Sequence, residues 1–173
     1  MGTVEVYKFD AGYLPRHVDD PIVPSSGKDL AAIIDEMYSS TNEECSLLSI
    51  AVRNSEGIYV VQMDIGVRAA EPLGCLRYIA AEGDVYSKGK YLSNEPVAYY
   101  DFGNERLFAP GSQIPLDAVK AAVIQLFDSN GGKPDCVEWQ EWHGWILDDD
   151  DDDDKYLNSE SQAPSPDYSD PPF

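Results

Sequence analysis

Seven consecutive aspartates, Asp148 to Asp154, set the limit of what this chain can fold into. Such a run repels itself, has poor helix and strand propensity, and brings no apolar surface to offset the entropy of ordering. The chain after it ends in "SQAPSPDYSDPPF", a Pro/Ser-rich, linker-like stretch. Residues 148–173 are therefore expected to be a disordered acidic tail. Residues 1–147 are expected to form one domain, long enough to bury a proper core.

The charge is not confined to that tail. The chain carries a formal net charge of -20 with a sequence pI of about 4.1. Residues 148–173 hold ten acidic residues and one lysine, a balance of -9 that leaves -11 for the body. Nucleic-acid binding needs a basic face that releases counterions, so that class is excluded. The expected partner is a protein with a basic cleft, met through fast, salt-sensitive encounter. The opening "MGTVEVYKFDAGY" has no basic segment followed by an apolar one, and no apolar run reaches the roughly 18 residues of a membrane span. A cytoplasmic protein without membrane contact is expected, with Cys45, Cys75 and Cys136 as reduced core residues.

Hydrophobic periodicity predicts an α+β fold. "TVEVYKF" (Thr3 to Phe9) alternates as a first strand, and residues 10–25 read as a loop with three prolines. Ser25 or Ser26 caps a helix over about residues 28–39, whose buried stripe is Leu30, Ile33, Ile34 and Met37. Four to six antiparallel strands are expected between Ser46 and Phe108, with a hairpin loop at "RNSEG" and turns at Gly83, Gly89 and Gly103. A second helix starts near Pro115, buries Val119, Ala122, Val123, Leu126 and Phe127, and stops at Gly131 and Gly132. "CVEWQEW" reads as a last strand, with Val137 and Trp139 on one face and Glu138, Gln140 and Trp142 on the other. The expected architecture is an antiparallel meander with two main helices packed on it.

Catalytic sets are not found. The two histidines, His17 and His143, have no partner at metal-ligand spacing, and Cys136 lacks the second cysteine of a zinc deaminase. There is no Gly-x-Ser-x-Gly, P-loop or dinucleotide fingerprint, and "SNGGKPD" follows a helix where a phosphate loop would precede one. No catalytic, cofactor or metal residue is assigned. Carboxylate pairs such as Asp19-Asp20 and Glu43-Glu44 carry no diagnostic weight in so acidic a chain.

What remains is an acidic, aromatic surface. Asp84, Tyr86, Tyr99, Tyr100, Asp101 and Glu105 cluster along the predicted meander, and Glu138, Glu141 and Trp142 along the last strand. Negative charge with flat rings suits a basic cleft built for nucleic acid, and Trp and Tyr are favoured interface anchors. These nine residues are the candidate partner-binding set. Trp139 is expected in the core.

"YVVQMDIG" (Tyr59 to Gly66), "YYDFGNERLFAPGSQIPLDAVKAAVIQLF" (Tyr99 to Phe127) and "GGKPDCVEWQEW" (Gly131 to Trp142) resemble the first family of immunity proteins of bacterial polymorphic toxin systems. The resemblance spans roughly residues 45–142, and the closing segment is its most specific part. It implies a non-enzymatic protein encoded beside a secreted toxin, often a nucleic-acid deaminase, that binds this cognate toxin in the cytoplasm. It carries over no catalytic residues, and Gly131, Gly132, Pro134 and Trp139 look structural. The long acidic tail departs from the family pattern. Two other classes stand beside this one: a general acidic module or nucleic-acid mimic blocking other basic proteins, and a hydrolase or transferase using carboxylates alone.

Overall fold

The computed structural model describes residues 5–144. Among these the chain runs β1 (Lys8–Gly12), α1 (Gly27–Ser39), β2 (Leu47–Arg53), β3 (Tyr59–Val67), β4 (Leu73–Ala80) and β5 (Gly83–Lys88), with a 3-10 turn at Pro15–His17. It continues through β6 (Val97–Asp101), β7 (Asn104–Phe108), β8 (Ile114–Pro115), α2 (Leu116–Asp128) and β9 (Glu138–Gln140). The expected tail, the boundary at residue 147 and Trp145 lie outside the described residues.

Both helices form where their apolar stripes place them. Ser26 caps α1, its hydroxyl oxygen accepting the Asp29 N–H at 3.2 Å, while Asp29 accepts the Ser25 N–H in return. Leu30, Ile33, Ile34 and Met37 are buried. In α2 the buried residues are Val119, Ala122, Val123 and Leu126, and Phe127 packs its ring 4.7 Å from Phe9. Past the end of α2 the Gly131 N–H returns to the Leu126 carbonyl at 2.8 Å with φ at 94°, and the Gly131 carbonyl accepts the buried Tyr78 hydroxyl at 2.7 Å. The closing glycine thereby ties the helix end to the sheet.

The main sheet has seven strands in the order β1-β2-β3-β4-β5-β9, with β8 paired to β4. All its pairings are antiparallel. One face packs on the helices through Leu48, Ile50, Val52, Met63, Ile65, Leu76 and Tyr78. The α+β class and the antiparallel sheet with two helices are as the periodicity predicts.

Three expectations are corrected. The first strand is residues 8–12, not 3–9: Phe9, Ala11 and Tyr13 are the buried positions, so the inward parity is odd, and Val6 is left exposed. A slip of one residue exchanges the two faces of a strand. Second, the meander stops at β5. The place beside β5 is taken by β9, and β6 and β7 pair only with each other as a separate ribbon. The ribbon buries Tyr99 and Phe108, which point one way, and exposes Tyr100, Glu105 and Leu107. Third, Cys136 is exposed, while Cys45 and Cys75 are buried free thiols. Burial pushes the Cys75 thiol up to about 11.

The ribbon lies across the face of the sheet that carries no helix. Tyr99 sits over Gly66, where an added Cβ would fall 2.3 Å from its ring. The Tyr99 hydroxyl donates to Cys75 Sγ at 3.4 Å, and the Arg68 guanidinium stacks 4.8 Å from the ring centroid while donating to the Ala98 carbonyl. The Ser46 N–H donates to the Tyr100 carbonyl at 2.9 Å, and the Tyr100 N–H to Ser46 Oγ at 2.8 Å.

His17 closes the loop after β1. Its Nδ1 accepts the N–H groups of Tyr13 and Leu14, each at 3.1 Å, so the fold needs the ring unprotonated there. Burial lowers its pKa, Arg16 adds to this, and Glu36 and Asp20 oppose it. Because the folded pKa lies below the unfolded one, the unfolded chain takes the proton first as pH falls. The stabilisation is full above about pH 7, begins to fall below the ordinary histidine value of about 6.5, and is lost as pH drops through the lower folded value. Urea unfolding of the wild type and His17→Ala should show a gap in stability at pH 7.5 that narrows at pH 5.5.

Candidate functional site

Alternation along the strands decides what the helix-free face presents. With every second residue committed to the helix side, register sets the others in rows: Gly12, Ser49, Asp64, Arg77 and Tyr86 in one, and Asp10, Ala51, Gln62, Ile79 and Asp84 in the next. The ribbon covers only part of this face. The remainder is open floor, and it carries two recesses that meet at Ala51.

The first recess, about 290 Å³, lies where the ribbon turn overhangs β1 and β2, between Asp10, Ser49, Ala51, His17, Asp101 and Phe102. Phe102 is 41% exposed and sits at φ 52°, followed by Gly103 at φ 80°. A bulky aromatic residue in the left-handed region is held there only by its surroundings. Here the turn is fixed by the Gly103 N–H on the Glu44 carbonyl at 2.9 Å and by the bridge between Cys45 and Asp101. The second recess, about 640 Å³, is lined by Ala51, Gln62 and Ile79 of this face and reaches the strand ends at Tyr59, Val60 and Ala80, where the last two also meet the helix-side core.

Most charges of this face are arranged in pairs, and among the described residues Lys8, opposite Arg53, forms none. Asp10 is bound by Arg53, and Asp84 by Arg77 through Nε at 2.8 Å, while Asp101 has Arg106 at 3.7 Å. Arg53 stacks on Tyr59 at 5.2 Å and Arg77 on Tyr86 at 5.4 Å. Asp64 differs. It is 9% exposed, its Oδ1 accepts Ser49 Oγ at 2.7 Å and Gln62 Nε2 at 2.9 Å, and among the described residues no basic side chain forms an ion pair with it.

The nine residues expected to form the partner-binding set are divided by the structure. Tyr99 and Tyr86 are interior side chains of a second core cluster with Leu47, Cys75, Phe108 and Ala109. They are not surface rings, because the ribbon needs apolar partners where it meets the sheet. Trp142 is half-buried against that cluster, edge-on to Tyr86 at 5.4 Å. Tyr100, Asp101 and Glu105 come together on the ribbon, Tyr100 and Glu105 directly opposed. Asp84 lies on the open face, paired to Arg77. Glu138 and Glu141 are exposed, Glu138 opposite Lys88 at the β9 edge. The sequence reading missed Asp64, Ser49 and Phe102. The signal for Asp64 was an acid inside the apolar run "VVQMDIGV", at the parity opposite Met63 and Ile65, where a strand has little other use for an aspartate.

Trp139, by contrast, packs against the helix-side core as expected, its Nε1 donating to the Pro134 carbonyl at 2.7 Å. Among the described residues no helix is long and apolar enough to cross a membrane. Nor do three or more His, Cys, Asp or Glu side chains there gather as for a metal ion.

No curated protein matches the chain significantly. The family model "Immunity protein Imm1" matches residues 19–141, which begins before α1 and ends just after β9. That span holds both helices, the ribbon and all of the main sheet except β1. With most of its length matched in this way, the chain belongs to the Imm1 family of immunity proteins.

Proposed function

We propose that this immunity protein binds a cognate secreted toxin one to one and occludes its basic active-site cleft, the toxin being a nucleic-acid deaminase or another nucleic-acid-targeting domain. Family membership supports a toxin as the partner. The observation that carries the finer reading is the open sheet face, a floor with two recesses and a displayed Phe102 in an acidic body. A groove that holds nucleic acid is basic: the acidic body steers the encounter, and the face itself, whose Asp10 and Asp84 are matched by arginines, offers an aromatic at its rim and the carboxylate of Asp64. The chain works in this reading by occupying a site, in the cytoplasm, and turns over no substrate. Because a single free toxin molecule is harmful, a Kd of about 1 nM or lower is expected, near -12 kcal/mol.

The test is co-expression with the toxin domain encoded beside this gene. Protection of the cells and recovery of a one-to-one complex are expected, and unprotected cells with no complex would overturn the reading. Binding to several unrelated basic clefts with equal strength would favour a general acidic mimic instead.

The acidic segment from Asp148 acts in this proposal as an electrostatic lure. Truncation after Leu147 should slow association several-fold at low salt and leave dissociation nearly unchanged, measured by surface plasmon resonance at two salt concentrations. Faster dissociation would make the segment part of the contact.

A further inference from the structure

We infer that Asp64 is the seat for one lysine or arginine side chain of the toxin, and that this contact fixes register and specificity across the open face. The inference rests on the reading of that face as the toxin-docking surface. Four observations carry it. Asp64 stands on β3, in the middle of the sheet, between Ser49 of the ribbon-side recess and Gln62 of the second one. It is 9% exposed, so little of the residue meets solvent. Both of its hydrogen bonds, from Ser49 and Gln62, converge on Oδ1, and among the described residues Oδ2 accepts none. These two neutral donors also hold the carboxylate in one orientation, joined by Gln62 Nε2 to Ser49 Oγ at 3.3 Å.

The neighbouring cations are committed elsewhere. Arg77 faces Asp64 in the register and the two charges favour each other, yet they form no ion pair: its Nε and terminal nitrogen go to Asp84 and its guanidinium lies over Tyr86. Arg53 is bound to Asp10. The carboxylates of Asp10 and Asp84 are thus satisfied within the chain, and Asp64 is the acid of this floor left to a partner. A largely covered carboxylate with no cation hydrogen-bonded to it gains most when a charged donor arrives. A long basic side chain fits the surroundings: its aliphatic stem would lie along the small and apolar Ala51 and Ile79, and its charged end would reach Oδ2. A toxin lacking a cation at that point would leave Asp64 buried and unpaired, which discriminates against it.

The experiment uses the full chain and the toxin domain encoded beside its gene. Asp64→Asn keeps an oxygen for Ser49 and Gln62 and removes only the charge. It should weaken binding about 100-fold, chiefly through faster dissociation, with the melting temperature of the free chain unchanged or raised. The second measurement is a double-mutant cycle against toxin variants in which each Lys and Arg is replaced by Ala. One of these should remove the effect, so that Asp64→Asn costs less than threefold in its presence; a fold defect would couple to no single toxin residue. If wild type binds and Asp64→Asn binds within threefold of it, or if no toxin cation couples to Asp64, the inference is overturned while the docking reading stands. If wild type itself does not bind, the docking reading falls and takes the inference with it.

Discussion

Gly66→Ala should cost the fold about 3 kcal/mol, at the upper end of what overpacking a tight interior costs, and lower the melting temperature by about 10 °C. The added Cβ would meet three ring atoms of Tyr99 at 2.3 to 2.5 Å, closer than any real contact allows. The ring cannot swing aside. It is fully buried, Phe108 packs on it edge-on at 5.2 Å, Arg68 covers it, and its hydroxyl reaches Cys75. The ribbon would have to lift, breaking the bonds of Tyr100 to Ser46. Calorimetry checks the size, and the double variant checks the cause. Tyr99→Ala alone should cost about 3 to 5 kcal/mol through the void it leaves. With both changes the new methyl enters that void, so the pair should cost clearly less than the sum of the two. Additive losses would mean that Gly66 serves some purpose other than the approach of Tyr99.

The second large effect is expected at the other end of the sequence. Trp139→Ala should destabilise by about 3 kcal/mol, the low end for a tryptophan, because the ring is only partly buried. It packs against the helix-side core and 6.1 Å from the Tyr78 ring, and its Nε1 fixes Pro134. Strand β9 is three residues long and pairs only with β5, and besides Trp139 it is tied by Gln140 Nε2, which donates to the Ser87 and Pro110 carbonyls. Amide exchange along β9 and the adjoining edge of β5 should quicken in the variant while β2 and β3 stay protected. Trp139→Phe, which keeps a ring and loses the Nε1 bond, should cost about 1 kcal/mol. An unchanged exchange pattern in Trp139→Ala would show that β9 is held by its backbone pairing and the Gln140 bonds without Trp139.

Periodicity was a good guide wherever one face of an element met one body of apolar partners. Both helices follow that rule, and so do the faces of the last strand, where Val137 and Trp139 turn inward and Glu138 and Trp142 outward from the helix side. It failed where the pattern is compatible with more than one partner. "EPVAYYDFGNERLF" alternates correctly for a strand pair, but alternation does not say whether the pair extends a sheet or lies across it. Tyr99 and Tyr100 are adjacent aromatics flanked by an acid, and only the crossing of the ribbon over Gly66 makes one of them interior and the other a surface residue. The candidate site was legible as an acidic, aromatic character and not as a place. Asp64 shows why: the role proposed for it depends on Ser49 across β2 and on an Arg77 committed to Asp84, residues distant in sequence that only the register brings beside it.

A sheet sealed by helices on one side alone divides each of its strands between two masters. In β2 the residues Leu48, Ile50 and Val52 answer to the interior, while Ser49, Ala51 and Arg53, interleaved with them, answer to whatever lies outside. A lineage under pressure from a changing adversary can therefore rewrite every other codon of the same strand and still inherit an intact fold.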